Sequence, residues 1–138
     1  MPFFGAEFQM AHPRDGPARS HLSAYDPASG DRKWRYEHKY PLLASQLATA
    51  GGLLFSGDAT GRFFALDADS GKELWSFRTG SGHRGSAMTY AVDGRQYIAT
   101  PSGWGSAVAG LTTQLWPEAA DWPTGSSIFV FALPEVGR

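Results

Sequence analysis

Apolar and polar positions alternate in short runs along most of this chain, and no run keeps a helical period for long. Extended segments are expected at Leu22–Tyr25 and in RKWRYEH, separated by the turn sequence DPASGD. Pro27 presets φ for a turn and Gly30 accepts a positive φ, so the pair of segments is expected to close as a hairpin. RFFALD, ADSG and KELWSF repeat the design further on, and the apolar run Leu53, Leu54 and Phe55 ends at another turn sequence, GDATG. In AMTYAVDGRQYIATP two alternating runs flank Asp93-Gly94, a dipeptide suited to a two-residue hairpin loop. A last strand is expected at 126–133, in SSIFVFAL. Strands recurring every ~8–12 residues imply an all-β sandwich, barrel or propeller.

An internal repeat selects among these. AYDPASGDRKW and ALDADSGKELW, at 24–34 and 65–75, place Ala24, Asp26, Gly30 and Trp34 in step with Ala65, Asp67, Gly71 and Trp75 at a constant offset of 41 residues. About 40 residues is the length of one four-stranded propeller blade. Blades pack face to face around a channel, which gives a Trp-bearing hairpin a reason to recur. In this reading the indoles stack on a neighbouring blade and the alanines leave room for them. The aspartates bond to turn amides, and the glycines allow the turn and a close backbone approach.

Composition narrows the function. Formal net charge is −1 over 138 residues, so there is no basic footprint for nucleic acid and no polybasic run for a membrane surface. Cys is absent, which removes disulfides and thiolate metal sites. MPFFGAEFQMAHPRDG lacks the basic and apolar regions of a signal peptide, and nothing approaches the ~20 apolar residues of a membrane helix. The 17 glycines and 5 tryptophans suit tight turns and short strands.

A-x-D-x-x-x-G-x-x-x-W resembles the tryptophan-docking motif of the quinoprotein alcohol dehydrogenases, eight-bladed propellers that use pyrroloquinoline quinone (PQQ). LATAGGLLFSGDATGRFFALDADSGKELWSFRTGSG, AMTYAVDGRQYIATPSGWG and IFVFALPE resemble, in order, the C-terminal part of the methanol/ethanol group. FFGAEFQMAHPRDGPARSHLSAYDPASGDRKW resembles the stretch leading into a late blade. The resemblance covers essentially all of residues 1–138 and implies about three four-stranded antiparallel blades of an eight-bladed ring, a partial propeller. It implies a detached C-terminal part of an oxidoreductase that converts primary alcohols to aldehydes, inactive as an isolated chain. In the parent family it implies PQQ, Ca²⁺ or a lanthanide, an electron-accepting cytochrome and a periplasmic location. The family's catalytic Asp, metal ligands and vicinal Cys pair have no counterparts here, so no catalytic or metal-binding residue is assigned.

For the cofactor, the resemblance points to Leu43, which stands where the family often carries a Trp, and to PSGWGSAVAG. There Ala107 matches a cofactor-approaching position, Trp104 and Gly105 flank it, and Gly103 and Gly105 would let backbone approach a planar ligand. The missing blades, or self-association, are the expected partners of the open blade faces. A non-catalytic propeller module for protein contacts is the alternative.

Other residues carry plainer expectations. His12, His21, His38 and His83 share no metal-ligand spacing and are expected in solvated loops or at strand edges. Asp26, Asp58, Asp67 and Asp69 are expected in turns. Ser102, Ser106 and Ser126 lack a nucleophile-elbow context, and TGRFF and SGKEL lack the Walker spacing. Residues 103–125 form a long insertion, in which Trp116 and Trp122 suit an aromatic cover over a propeller face or a subunit contact.

Overall fold

A computed structural model describes residues 10–132. They form nine strands: β1 (Ser20–Tyr25), β2 (Arg32–His38), β3 (Leu47–Ala48), β4 (Leu53–Gly57), β5 (Arg62–Asp67), β6 (Glu73–Arg78), β7 (Met88–Val92), β8 (Arg95–Ser102) and β9 (Ser127–Ala132). All pair antiparallel, in three sheets ordered β1-β2, β3-β4-β5-β6 and β7-β8-β9. The expectation of about three four-stranded units is met in full only by the middle sheet, since the flanking sheets hold two and three strands among the described residues. Residues 1–9, which include the start of the opening stretch, and Leu133 of the expected last strand lie outside the described residues.

The repeated eleven residues are one hairpin built twice. Asp26 Oδ1 accepts the Ala28 amide at 2.8 Å and Asp67 Oδ1 accepts the Ser70 amide at 2.8 Å. Gly30 (φ 77°) and Gly71 (φ 70°) close the turns by donating to the Asp26 and Asp67 carbonyls. Across the ladder Ala24 faces Trp34 and Ala65 faces Trp75, with a register shift immediately after each alanine. A small residue opposite each indole leaves the ring free to lean outward. Asp93 (φ 50°) and Gly94 (φ 77°) form the expected two-residue turn between β7 and β8.

Trp34 leans onto the second sheet. Its Nε1 donates to the Ala68 carbonyl at 2.9 Å, and its ring covers Gly71 so closely that a Cβ there would lie 2.6 Å away. Polar groups extend this junction: Tyr36 donates to Glu73 at 2.9 Å, Arg62 bonds the same carboxylate, and His38 Nε2 meets Asp58 Oδ2 at 2.9 Å. The second junction is aromatic. Phe131 lies 5.1 Å from Trp75 and 5.3 Å from Phe77, over a core of Phe55, Phe63, Ala65 and Ile98. Trp75 remains 39% exposed, and among the described residues no glycine turn receives it as the Gly71 turn receives Trp34.

The insertion at 103–125 is not simply a loop. It contains helix α1 (Ser106–Thr112) and a 3₁₀ turn, Pro117–Asp121. It straps the third sheet back to the first: Trp116 Nε1 donates to the Lys39 carbonyl at 3.0 Å, and Lys39 pairs with Glu118 at 3.1 Å. Trp116 and Ala119 bury themselves against Ala18. Trp122 meets Tyr40 edge-to-face at 5.1 Å. Trp116 and Trp122 thus clasp Ala18 and Tyr40 of the same chain.

Candidate functional site around Trp104

Five consecutive residues, Pro101 to Gly105, are held by the stretch 81–84. His83 Nδ1 donates to the Pro101 carbonyl at 3.0 Å, and Ser102 Oγ donates to the Ser81 carbonyl at 2.8 Å. The Gly103 amide donates to the Gly82 carbonyl at 2.7 Å, and the Trp104 amide donates to Ser81 Oγ at 2.9 Å. Arg84 donates to the Gly105 carbonyl at 3.0 Å. Close approach requires glycine here, since a Cβ on Gly82 would sit 2.7 Å from the Trp104 ring. Of the glycines flanking Trp104, Gly103 meets backbone closely, since a Cβ there would lie 2.9 Å from the Gly125 carbonyl oxygen, whereas a Cβ on Gly105 would meet nothing within 4 Å.

Trp104 is buried, 5% exposed, and meets Trp122 edge-to-face at 5.5 Å. Its Nε1 is enclosed without an acceptor among the described residues. A buried donor left unpaired costs roughly 1–3 kcal/mol, so such a group marks a place where an acceptor is wanted. Gly105 lies at the start of α1, Ala107 lies within it, and Leu43 sits 43% exposed on the loop between β2 and β3. The structure therefore joins Trp104, Gly105 and Ala107 in one segment. The hydrogen bonds and ring contacts of Trp104 run to Ser81 and Trp122, not to Leu43.

His83 departs furthest from its sequence expectation. It is fully buried, not in a solvated loop, with its ring 5.3 Å from Phe63 and its Nε2 2.9 Å from Thr79 Oγ1. Burial pulls its pKa below the ordinary value, opposed by the Pro101 hydrogen bond and the charge of Asp58. A neutral ring donating from Nδ1 and accepting at Nε2 fits these partners. His38 also leaves its expected solvated edge and pairs with Asp58. Asp58 keeps its expected turn role, taking the Thr60 and Arg62 amides at 2.8 and 3.0 Å. Burial raises its pKa, but hydrogen bonds from His38, the Arg62 amide and Thr60 outweigh burial and hold it below the usual carboxylate range.

Among the described residues no three or more His, Cys, Asp or Glu side chains converge where they could hold a metal. A cavity of about 470 Å³ lies elsewhere, between the strap and residues 12–19, with Arg19, Lys39 and Trp116 in its wall. Sequence reasoning missed Ser81 and Trp122 as partners of Trp104, and His83 and Arg84 as partners of Pro101 and Gly105 beside it. The only local signal was GSGHRG, a His and an Arg set among glycines that let backbones touch.

The family model described as "PQQ: Glucose/ethanol/alcohol dehydrogenase, beta-propeller domain" matches residues 37–98. Quinoprotein alcohol dehydrogenase PedH of Pseudomonas putida is 37% identical over 96% of this chain, which covers 22% of PedH. The quinoprotein ethanol dehydrogenase of Pseudomonas aeruginosa is 40% identical over 96% of the chain and 21% of its own length. Among solved structures, quinohemoprotein alcohol dehydrogenase ADHIIG from Pseudomonas putida HK5 superposes with a TM-score of 0.73 at 30% identity, over 87% of this chain and 17% of that one. The chain spans about a fifth of the length of these relatives. In sequence over nearly its whole length, and in fold, the chain is thus a relative of the quinoprotein alcohol dehydrogenases, with residues 37–98 matching the PQQ β-propeller domain.

Proposed function

We propose that this chain contributes blades and one wall of the cofactor site to a PQQ-dependent dehydrogenase that oxidises primary alcohols to aldehydes. The repeated Trp–Gly hairpins are then its tryptophan-docking motifs, and the propeller is an eight-bladed ring. The observation that carries the reading is Trp104: a buried indole whose N–H lacks an acceptor, in a glycine-flanked segment fixed at every residue. PQQ, when bound, supplies a quinone that takes up two electrons from the alcohol, and its carbonyl and carboxylate oxygens are acceptors of the kind the Trp104 N–H lacks. The donor set here fits the rim of such a ligand. Trp104 would orient it, Gly105 and Ala107 would be the neighbouring segment it approaches, and Leu43 would offer an apolar contact in place of a stacking one.

Among the described residues no His, Cys, Asp and Glu side chains converge to fit a metal, so in this proposal the Ca²⁺ or lanthanide ion and the base that removes the alcohol proton belong to other parts of the enzyme. The isolated chain is accordingly expected to bind PQQ weakly and to turn nothing over. A cytochrome acceptor and a periplasmic setting complete the proposal by likeness to the family. ADHIIG, a quinohemoprotein by name, supports a haem acceptor. The non-catalytic alternative has no observation in its favour, since the relatives named above are dehydrogenases.

A titration tests the reading. Millimolar PQQ should shift the indole N–H resonance of Trp104, assigned with Trp104→Phe, more than those of the other four tryptophans. Dye-linked ethanol oxidation should stay at background with PQQ and Ca²⁺ or a lanthanide. An unmoved Trp104 resonance refutes the cofactor role, and turnover by the isolated chain refutes its dependence on other parts.

A further inference from the structure

We infer that Ser81 is a positioning residue whose single hydroxyl staples both ends of the 103–125 strap and thereby fixes Trp104. The inference rests on the reading of Trp104 as a cofactor residue. Ser81 Oγ accepts the Trp104 amide at 2.9 Å and donates to the Pro123 carbonyl at 2.8 Å. One oxygen thus joins residues 19 positions apart, where the strap leaves β8 and where it returns toward β9. Both roles are used at once, and the residue is buried, so water does not compete for either bond.

Neighbouring contacts show why the staple governs Trp104 rather than merely touching it. The ends converge so tightly that a Cβ on Gly103 would lie 2.9 Å from the Gly125 carbonyl oxygen. Gly82 lies under the indole, and Trp122, one residue before Pro123, packs against it edge-to-face. Releasing the Pro123 carbonyl therefore frees the residue beside Trp122, and releasing the Trp104 amide frees the indole's own backbone. The Gly103 amide bonds to a backbone carbonyl instead, so it provides an internal reference.

Amide hydrogen exchange on the full chain tests this, with Ser81→Ala, the near-isosteric Ser81→Cys and the hydroxyl-keeping Ser81→Thr. Losing one hydrogen bond should accelerate Trp104 exchange about fivefold in S81A, with a smaller rise at Gly103 and none at Ile98 in the core. S81C should fall between S81A and the parent, and S81T should restore the parent rate within about twofold. The shift of the Trp104 indole resonance at millimolar PQQ should shrink in S81A and recover in S81T. Unchanged Trp104 exchange in S81A and S81C overturns the staple, as does equal acceleration at Ile98, which signals general loosening. If S81A does not fold, S81C and S81T decide it. A parent indole that ignores PQQ, while S81A still accelerates Trp104 exchange, overturns the cofactor reading alone.

Discussion

Replacing His83 by Ala should destabilise the protein more than replacing Trp75, although Trp75 carries the larger side chain and the repeat motif. The imidazole is completely enclosed, while the indole is 39% exposed. Truncating His83 removes the donor to the Pro101 carbonyl at 3.0 Å and the partner of Thr79 Oγ1 at 2.9 Å. The Pro101 carbonyl left without this donor costs about 1–3 kcal/mol, while Thr79 Oγ1 keeps the Gly61 and Ser81 carbonyls as acceptors. The truncation also opens a cavity against Phe63 and over Gly57, whose Cα approaches the ring so closely that a Cβ would lie 2.5 Å from it. Together these give ~3–5 kcal/mol for H83A. Trp75→Ala forfeits contacts with Phe63 and Phe131 but leaves no enclosed void, so it falls below the ~3–5 kcal/mol of a fully buried aromatic. For a chain of this size each kcal/mol moves Tm by about 3 °C. Thermal melts by far-UV circular dichroism should therefore place H83A several degrees below W75A. Coincident melts, or W75A lower, would refute the reasoning that enclosure outweighs side-chain size here.

Acid should weaken the fold in two stages. The lowered pKa of His83 means that, below the ordinary value near 6.5, the unfolded chain takes up a proton that the folded chain refuses, so stability falls with pH until the folded value is passed. Asp58, also lowered, adds a loss as pH drops through the carboxylate range; denaturant midpoints should show the first slope vanish in His83→Asn and the second in Asp58→Asn. Gly71→Val places a branched side chain at φ 70° under the Trp34 ring, and should cost ~2 kcal/mol or more and expose that indole to acrylamide quenching. Lys39→Met removes a solvent-exposed pairing with Glu118 while leaving the Trp116 bond to the Lys39 carbonyl, so its melt should stay within about 1 °C of the parent. A large drop would show that the charge, and not the buried Trp116, holds the strap.

What the sequence determined alone is what neighbouring residues decide among themselves. Alternation of period two, the Asp-to-amide turns and Gly30, Gly71 and Gly94 are local, so the hairpins and the repeat were legible, while the register shifts after Ala24 and Ala65 were not. Trp34 lay within reach because the 41-residue offset put its partner, Gly71, on the next copy of the same motif. Tertiary structure decided the rest. Trp116 finds the Lys39 carbonyl across 77 positions, and nothing in LTTQLWPEAADWPTGSS specifies that partner. His83 looks polar and glycine-flanked in the sequence, but it is buried because β5 supplies Phe63 and β8 supplies the Pro101 carbonyl to cover it. Trp104 was named from the family resemblance of PSGWGSAVAG, but its fixed position comes from Ser81, a residue whose type predicts nothing until the strap closes on it. Turns are written in adjacent residues, whereas burial depends on which distant backbones meet, and a one-dimensional pattern carries no distance between them.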